Sequence, residues 1–262
     1  MIQSLKSHFF NGSNAMYHPD IIWSQGDTEA SSTYWNSTSF LAWLYNDSPV
    51  RSSVVVNDGW GEDARLKHGD FIQCRGNCIE IVPTHVKKVN ALPIDKYSWG
   101  YRREAEIDDY RTVTEIIEEL VTTISKNGSL LLGLGPTKDG VIPLIFQERL
   151  AQVGLWLGVN GEAVYDSIPW KHHKDAANPK VFYTAKGNTV YAFVLEWPES
   201  NVLYLESLRV PSEGQVTVLG RPEEKLRWHT NTIKGTLIFL PTLMPHKLPS
   251  PWAWVLKVEG AI

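Results

Sequence analysis

A chain of 262 residues, 43% of them hydrophobic, can bury one large core or two smaller ones, and two domains is the expected division. The formal net charge of -4 and pI near 6.1 argue against a nucleic-acid surface, which needs clustered lysine and arginine, and no run approaches the roughly 18 to 20 apolar residues of a membrane-spanning helix. Eleven tryptophans and ten tyrosines are many for this length, which suits core packing and equally suits stacking on the flat apolar faces of sugar rings.

In chain order, the opening MIQSLKSHFFNGSNA holds a lysine and no continuous apolar stretch, so it is not read as a signal peptide. A short strand over Asp20–Trp23 then runs into a loop carrying Gln25, Asp27 and Glu29. A second strand, Ser53–Asn57, leads into Asp58-Gly59-Trp60. Cys74 and Cys78 follow in CRGNC; with no second cysteine pair and no HxxxH partner, a metal site is not expected, and a tight local disulfide or two free thiols remain. Strands are also read at Tyr97–Tyr101 and Leu130–Gly133, each with the apolar run of a buried parallel strand. Between these two, Val113, Ile116, Ile117, Leu120, Val121 and Ile124 fall on one helical face, preceded by a capping box of Thr112 and Glu115 and followed by Gly128. A further helix after Pro143 should bury Phe146, Leu150, Val153 and Leu157.

Strand-helix alternation up to about residue 160 predicts an α/β layer whose strand ends carry the functional side chains. Only about four such units are present where a closed barrel needs eight, so this is half of a barrel or a smaller open sheet, the former being favoured. The basic run Lys171-His172-His173-Lys174 is read as a solvated loop. From there the pattern changes to short strands separated by glycine and proline turns: a hairpin of Val181–Thr184 and Val190–Leu195 around Lys186-Gly187-Asn188, then runs at 203–205, 215–219, 236–240 and 252–258. This is an antiparallel β-sandwich. The expected domains are therefore residues 1–170 and 171–262. Sequons stand at Asn11, Asn36, Asn46 and Asn127, the third weakened by Pro49, and they lean toward a secretory route.

The segments PDIIWSQGD, TYWNSTSFLAWLYNDSP, VVVNDGWG, KHGDF, IDKYSWGYRREA, GPTKDG, FQERL and VNGEAVY, in this order, resemble the C-terminal two-thirds of an α-L-fucosidase of glycoside hydrolase family 29. The resemblance runs from residue 16 to 262, and the residues before it match nothing in the family pattern. It implies the C-terminal half of a (β/α)8-like barrel followed by a β-sandwich, retaining hydrolysis of terminal α-L-fucose from glycoconjugates, and no metal or organic cofactor. It also implies fucosylated glycans or glycoproteins as partners, a lysosomal or secreted location, and leaves a homo-oligomer open. Retaining chemistry needs a carboxylate nucleophile and a carboxylic acid about 5 to 5.5 Å apart.

Aligned residue by residue, the catalytic groups are missing. The family's nucleophilic aspartate, in Trp-Ser-Asp-Gly, corresponds to Gln25, and an amide has no charge with which to form a glycosyl ester. Its acid/base glutamate falls at Val89, and the sugar-binding arginine of Asn-Asp-Arg-Trp-Gly at Gly59. A family cysteine falls at Ala91, so Cys78 is left as the replacement partner for Cys74. The histidines that grip fucose in the family come from earlier strands. Asp27 and Glu80 are the substitute acids to weigh, along with Glu29, although exposed loop acids are the plainer reading. His68 is either near the sugar or structural, and Trp23, Trp60 and Trp99 either line a pocket or belong to the core. Three outcomes stand: a fucosidase by descent with impaired chemistry; a non-catalytic relative binding fucosylated glycans or a fucosidase subunit; or a fragment with open strand edges and no fold of its own.

Overall fold

The computed structural model describes residues 18–25, 29–74, 81–231, 234–241 and 250–261. These form two compact units that divide between Val89 and Asn90.

In the first unit, β1 (Ile21–Ile22) is followed by α1 (Ser32–Trp35) and α2 (Ser37–Asn46). The Ser31 hydroxyl caps α1 by accepting the Tyr34 amide at 3.4 Å. Asn36 then takes a left-handed conformation, φ 53°, which ends α1 and lets α2 begin at the next residue. Phe40 and Leu44 on the buried side of α2 pack with Val50, Val54, Val56, Trp60 and Ala64. Next come β2 (Val55–Val56) and β3 (Ile72–Cys74); β2 lies parallel to β1, with Ile21 opposite Val55 and Ile22 opposite Val56.

In the chain that crosses the division, β4 (Lys88–Pro93) alternates buried Lys88, Asn90 and Leu92 with half-exposed Val89, Ala91 and Pro93. The second unit continues with α3 (Val113–Ser125), β5 (Gly128–Gly133) and α4 (Leu144–Val164). The capping box forms as expected: Thr112 Oγ1 accepts the Glu115 amide at 3.2 Å, and the Glu115 carboxylate accepts the Thr112 amide at 2.7 Å. The left-handed residue after α3 is Asn127, φ 64°, rather than Gly128, which opens β5 instead. On α4 the buried residues are Phe146, Val153, Trp156, Asn160, Gly161 and Ala163; Leu157 is partly buried and Leu150 is 37% exposed, contrary to expectation.

Tyr97–Tyr101 is not a strand. The Asp95 carboxylate accepts the amides of Tyr97 and Ser98, at 2.8 and 3.2 Å, and pairs with Arg102, so side-chain bonds close the segment into a loop before any ladder can form. The strand of that region is β4, one motif earlier.

Among the described residues nine strands follow: β6 (Ile168–Lys174), β7 (Val181–Lys186), β8 (Thr189–Val194), β9 (Val202–Leu205), β10 (Gln215–Val218), β11 (Arg221–Lys225), β12 (Arg227–Thr230), β13 (Thr236–Phe239) and β14 (Trp254–Glu259). They make a six-stranded sheet in the order β11-β10-β14-β8-β7-β6 and a three-stranded sheet β12-β13-β9. Alternation along the strands splits the core in two. Phe182, Tyr191, Phe193 and Val255 face α3 and α4, whereas Val181, Tyr183, Ala192, Val194 and Leu256 meet Leu203, Leu205 and Ile238 of the smaller sheet. The hairpin turn at Gly187, φ 57°, is where the sequence puts it. The basic run Lys171–Lys174 lies in β6 and not in a loop; all four residues are exposed on an edge strand, where charge discourages further pairing.

Candidate active site

Because β1 and β2 run parallel and in register, their C-terminal extensions, Trp23-Ser24-Gln25 and Asn57-Asp58-Gly59, emerge side by side. A hydrogen-bonded interlock fastens them. The Ser24 amide donates to Asn57 Oδ1 at 2.9 Å, Asn57 Nδ2 donates to the Ser24 carbonyl at 2.8 Å and to Gln73 Oε1 at 3.0 Å, and Ser24 Oγ donates to the Gly59 carbonyl. Asn57 is fully buried, and both polar atoms of its side chain are matched. Neither Ser24 nor Asn57 stands out in the sequence as a site residue; the one signal is a polar Asn-Asp pair ending an apolar strand.

Gln25 is exposed at the tip of this interlock. Gly59 is crowded: a Cβ there would lie 2.9 Å from Asn57 Nδ2 and 3.1 Å from the Ser24 carbonyl, so those neighbours would have to shift. Val89, on the half-exposed face of β4, offers no proton. Asp27 and Glu80 lie outside the described residues.

The remaining acids near these strand ends are committed elsewhere. Asp58, 1% exposed, accepts the Gln73 amide at 2.8 Å on Oδ1 and the Leu66 amide at 3.1 Å on Oδ2. Asp63 accepts the Ser32 amide and hydroxyl, which holds its carboxyl below the usual range. Asp70 accepts the Val56 amide at 2.8 Å and the Tyr45 hydroxyl; burial, then this carboxylate, push the Tyr45 phenol well above its ordinary value. Such carboxylates act as structural acceptors. Glu29 is exposed.

The aromatic candidates separate. Trp60 is core: 8% exposed, it stacks on Phe40 at 5.4 Å between ring centres and donates from Nε1 to the Asn57 carbonyl at 2.7 Å. Trp23 is half-buried against Phe71, at 5.4 Å. His68 is exposed and borders a cleft of about 580 Å³ along α2, with Tyr45, Lys67 and Asp70; Gln25, Gly59 and Val89 do not line it. In the second unit, Trp99 is half exposed on the Asp95–Arg102 loop and lies over Gly133. Burial works against ionisation of Asp95, but the Arg102 guanidinium and the Tyr97 and Ser98 amides outweigh it and leave the carboxyl below its ordinary value.

Cys74 is disulfide-bonded, which removes the free-thiol alternative for it; Cys78 is outside the described residues. Among the described residues no three histidine, cysteine, aspartate or glutamate side chains gather as a metal site, and no helix is long and apolar enough to cross a membrane. Of the sequons, Asn36 is exposed with its side chain free of any cap bond, Asn46 donates to the Ala42 carbonyl at 2.6 Å, Asn127 is half-buried, and Asn11 is outside the described residues.

The sequence model described as alpha-L-fucosidase matches residues 11–162, and that of the alpha-L-fucosidase C-terminal domain matches residues 173–259. The chain belongs to the α-L-fucosidase family. The match begins at residue 11, earlier than the point at which the motifs become readable by eye. The chain is similar to human tissue alpha-L-fucosidase, 49% identical over 245 residues, covering 93% of this chain and 52% of that protein. It is 47% identical to rat plasma alpha-L-fucosidase over 249 residues, covering 93% and 54%. It also resembles the crystal structure of Thermotoga maritima alpha-fucosidase in complex with a mechanism-based inhibitor, at 27% identity and a TM-score of 0.76, covering 98% of this chain and 55% of that one. The chain thus spans about half the length of the fucosidases it matches, and its strands and helices are those of the fucosidase α/β layer and C-terminal sandwich.

Proposed function

We propose that this member of the α-L-fucosidase family recognises fucosylated glycoconjugates without hydrolysing them at the rate of a complete fucosidase site. The observation that carries the reading is Gln25, an uncharged amide exposed at the end of β1 where the family pattern has its nucleophile. Val89 and Gly59 support it, because neither a proton donor nor a guanidinium stands at the other two positions. Each absent catalytic carboxyl costs about 10³-fold in rate, on the order of 4 kcal/mol of transition-state stabilisation. The disulfide at Cys74 and the exposed sequon at Asn36 support a secretory or lysosomal setting. Partners are then fucosylated glycans or glycoproteins, with a second copy of the chain or a fucosidase subunit as the protein partner.

The test is release of 4-nitrophenol from 4-nitrophenyl α-L-fucoside by the purified chain, beside Gln25→Asp and the double variant Gln25→Asp, Val89→Glu. The unchanged chain is expected to be silent. Ordinary turnover by it overturns the proposal, and loss of that turnover in Asp27→Asn or Glu80→Gln would identify the acid that does the work.

A further inference from the structure

The sandwich carries a cleft of about 640 Å³ between the loop after β9 and the edge strand β12, bordered by Arg209, Ser212, Trp228 and His229; no residue of the candidate active site lines it. Its rim is fixed. Leu208 and Val210, 0% and 2% exposed, flank Arg209 in the chain. Thr236 Oγ1 donates to the Leu208 carbonyl at 3.0 Å and accepts the Val210 amide at 3.2 Å, and Thr230 Oγ1 donates to the Val210 carbonyl at 2.7 Å. The Gly214 amide then closes the loop on the Pro211 carbonyl at 2.8 Å. With the backbone pinned on both sides, only the side chain of Arg209 is free to turn, and that residue is exposed. Among the described residues the side chains of Arg209, Trp228 and His229 make no hydrogen bond or ion pair. Trp228 is half-buried and packs on the sandwich core, and Ser212 Oγ donates to the Glu213 carboxylate.

A guanidinium is a planar fork of donors with no acceptor of its own, and its geometric match is a planar anion held by two parallel hydrogen bonds. The charge selects a carboxylate. One guanidinium balances its single negative charge, whereas a phosphate monoester, nearer -2 at neutral pH, would leave charge uncompensated beside Glu213. The indole on the same cleft supplies a flat apolar surface for the body that carries the anion, and the C–H face of a sugar ring fits it. A cleft of this volume holds a ligand of one or two rings. We infer that the cleft binds a carboxylate-bearing pyranose: Arg209 takes both carboxylate oxygens, Trp228 lies against the ring, and His229 and Ser212 bond its hydroxyls. This site needs no fucose and stands apart from the function proposed above.

The experiment is titration of the full chain, by ligand-observed NMR and calorimetry, with 3′-sialyllactose, with a disaccharide ending in glucuronate, and with lactose as the neutral probe. At least one acidic saccharide is expected to bind, with lactose about tenfold weaker or more, and the stronger of the two acids names the source of the carboxylate. Arg209→Gln should remove that preference, Arg209→Lys restore part of it, and Trp228→Phe weaken both acidic and neutral binding. Arg103→Gln, an exposed arginine that does not line the cleft, should change nothing. Thermal melts of all variants separate lost binding from lost folding, and Arg209, being exposed, is the variant least able to disturb the fold. The inference is overturned if neither acidic saccharide binds, if lactose binds as well as they do, or if a folded Arg209→Gln chain binds them like the parent. None of the probes carries fucose, so each of those results leaves the proposed recognition of fucosylated glycans as it was.

Discussion

At the scale of single residues, Gly59 sits where even a Cβ is crowded. Any side chain put at this position has its Cβ 2.9 Å from Asn57 Nδ2 and 3.1 Å from the Ser24 carbonyl, and Asn57 is buried. Gly59→Arg is therefore expected to destabilise the chain by about 1 to 3 kcal/mol, through overpacking and the unpairing of Asn57, without any gain in fucoside hydrolysis. A melt unchanged from that of the parent would refute the interlock. Gln25 and Gly59 were legible in the sequence as candidate site positions because each lies inside a matching motif, and Val89, in the dissimilar stretch KKVNALP, only by counting back from Ile94-Asp95-Lys96. What surrounds them was not. The partners of Asn57 come from residues 33 and 16 positions away, Ser24 and Gln73, and no local pattern marks such bonds.

At the scale of elements, local chemistry was readable where it acts over three or four residues and misleading where a side chain overrides it. The α3 capping box is of the first kind, and Thr112→Ala should cost about 1 kcal/mol, measured as a lowered denaturation midpoint with an unchanged slope. Tyr97–Tyr101 is of the second kind: the strand-like run is folded into a loop by Asp95 and Arg102. That clamp has a pH signature. The Asp95 carboxyl in the folded chain lies below its ordinary value of 3.8, so its contribution is fully present above that value and is lost as pH falls through the depressed one. The acid limb of a stability-against-pH curve should therefore be shallower in Asp95→Asn than in the parent chain below about pH 4, while the two run parallel at neutral pH. Identical acid limbs would remove Asp95 from the account. The strands β6 and β11 were missed because they are charged edge strands whose side chains lack the alternation that marks a half-buried strand, and β12 because its alternation runs over only four residues.

At the scale of the molecule, the two compact units differ in the cores that hold them. The described cluster of the first unit has seven buried residues, Phe40 to Ala64, whereas the second has two clusters of sixteen. Unfolding should not be a single transition. Amide exchange is expected to open β1, α2 and β2 at lower free energy than α3 and the sandwich, with a calorimetric enthalpy that departs from the van 't Hoff value; coincident transitions for all probes would contradict this. The change from an α/β layer to a sandwich was plain from the sequence, since the hydrophobic period itself changes. The order of strands within the larger sheet was not, and it carries a consequence for synthesis. Strand β14, the last of the described strands in chain order, lies between β10 and β8, and Trp156 of α4 donates its indole N–H to the Ala253 carbonyl just ahead of it, at 3.0 Å. Until residues 254–259 leave the ribosome, β10 and β11 have no sheet to join, so a nascent chain that has not reached residue 254 carries two half-sheets with raw edges, a substrate for chaperones and proteases.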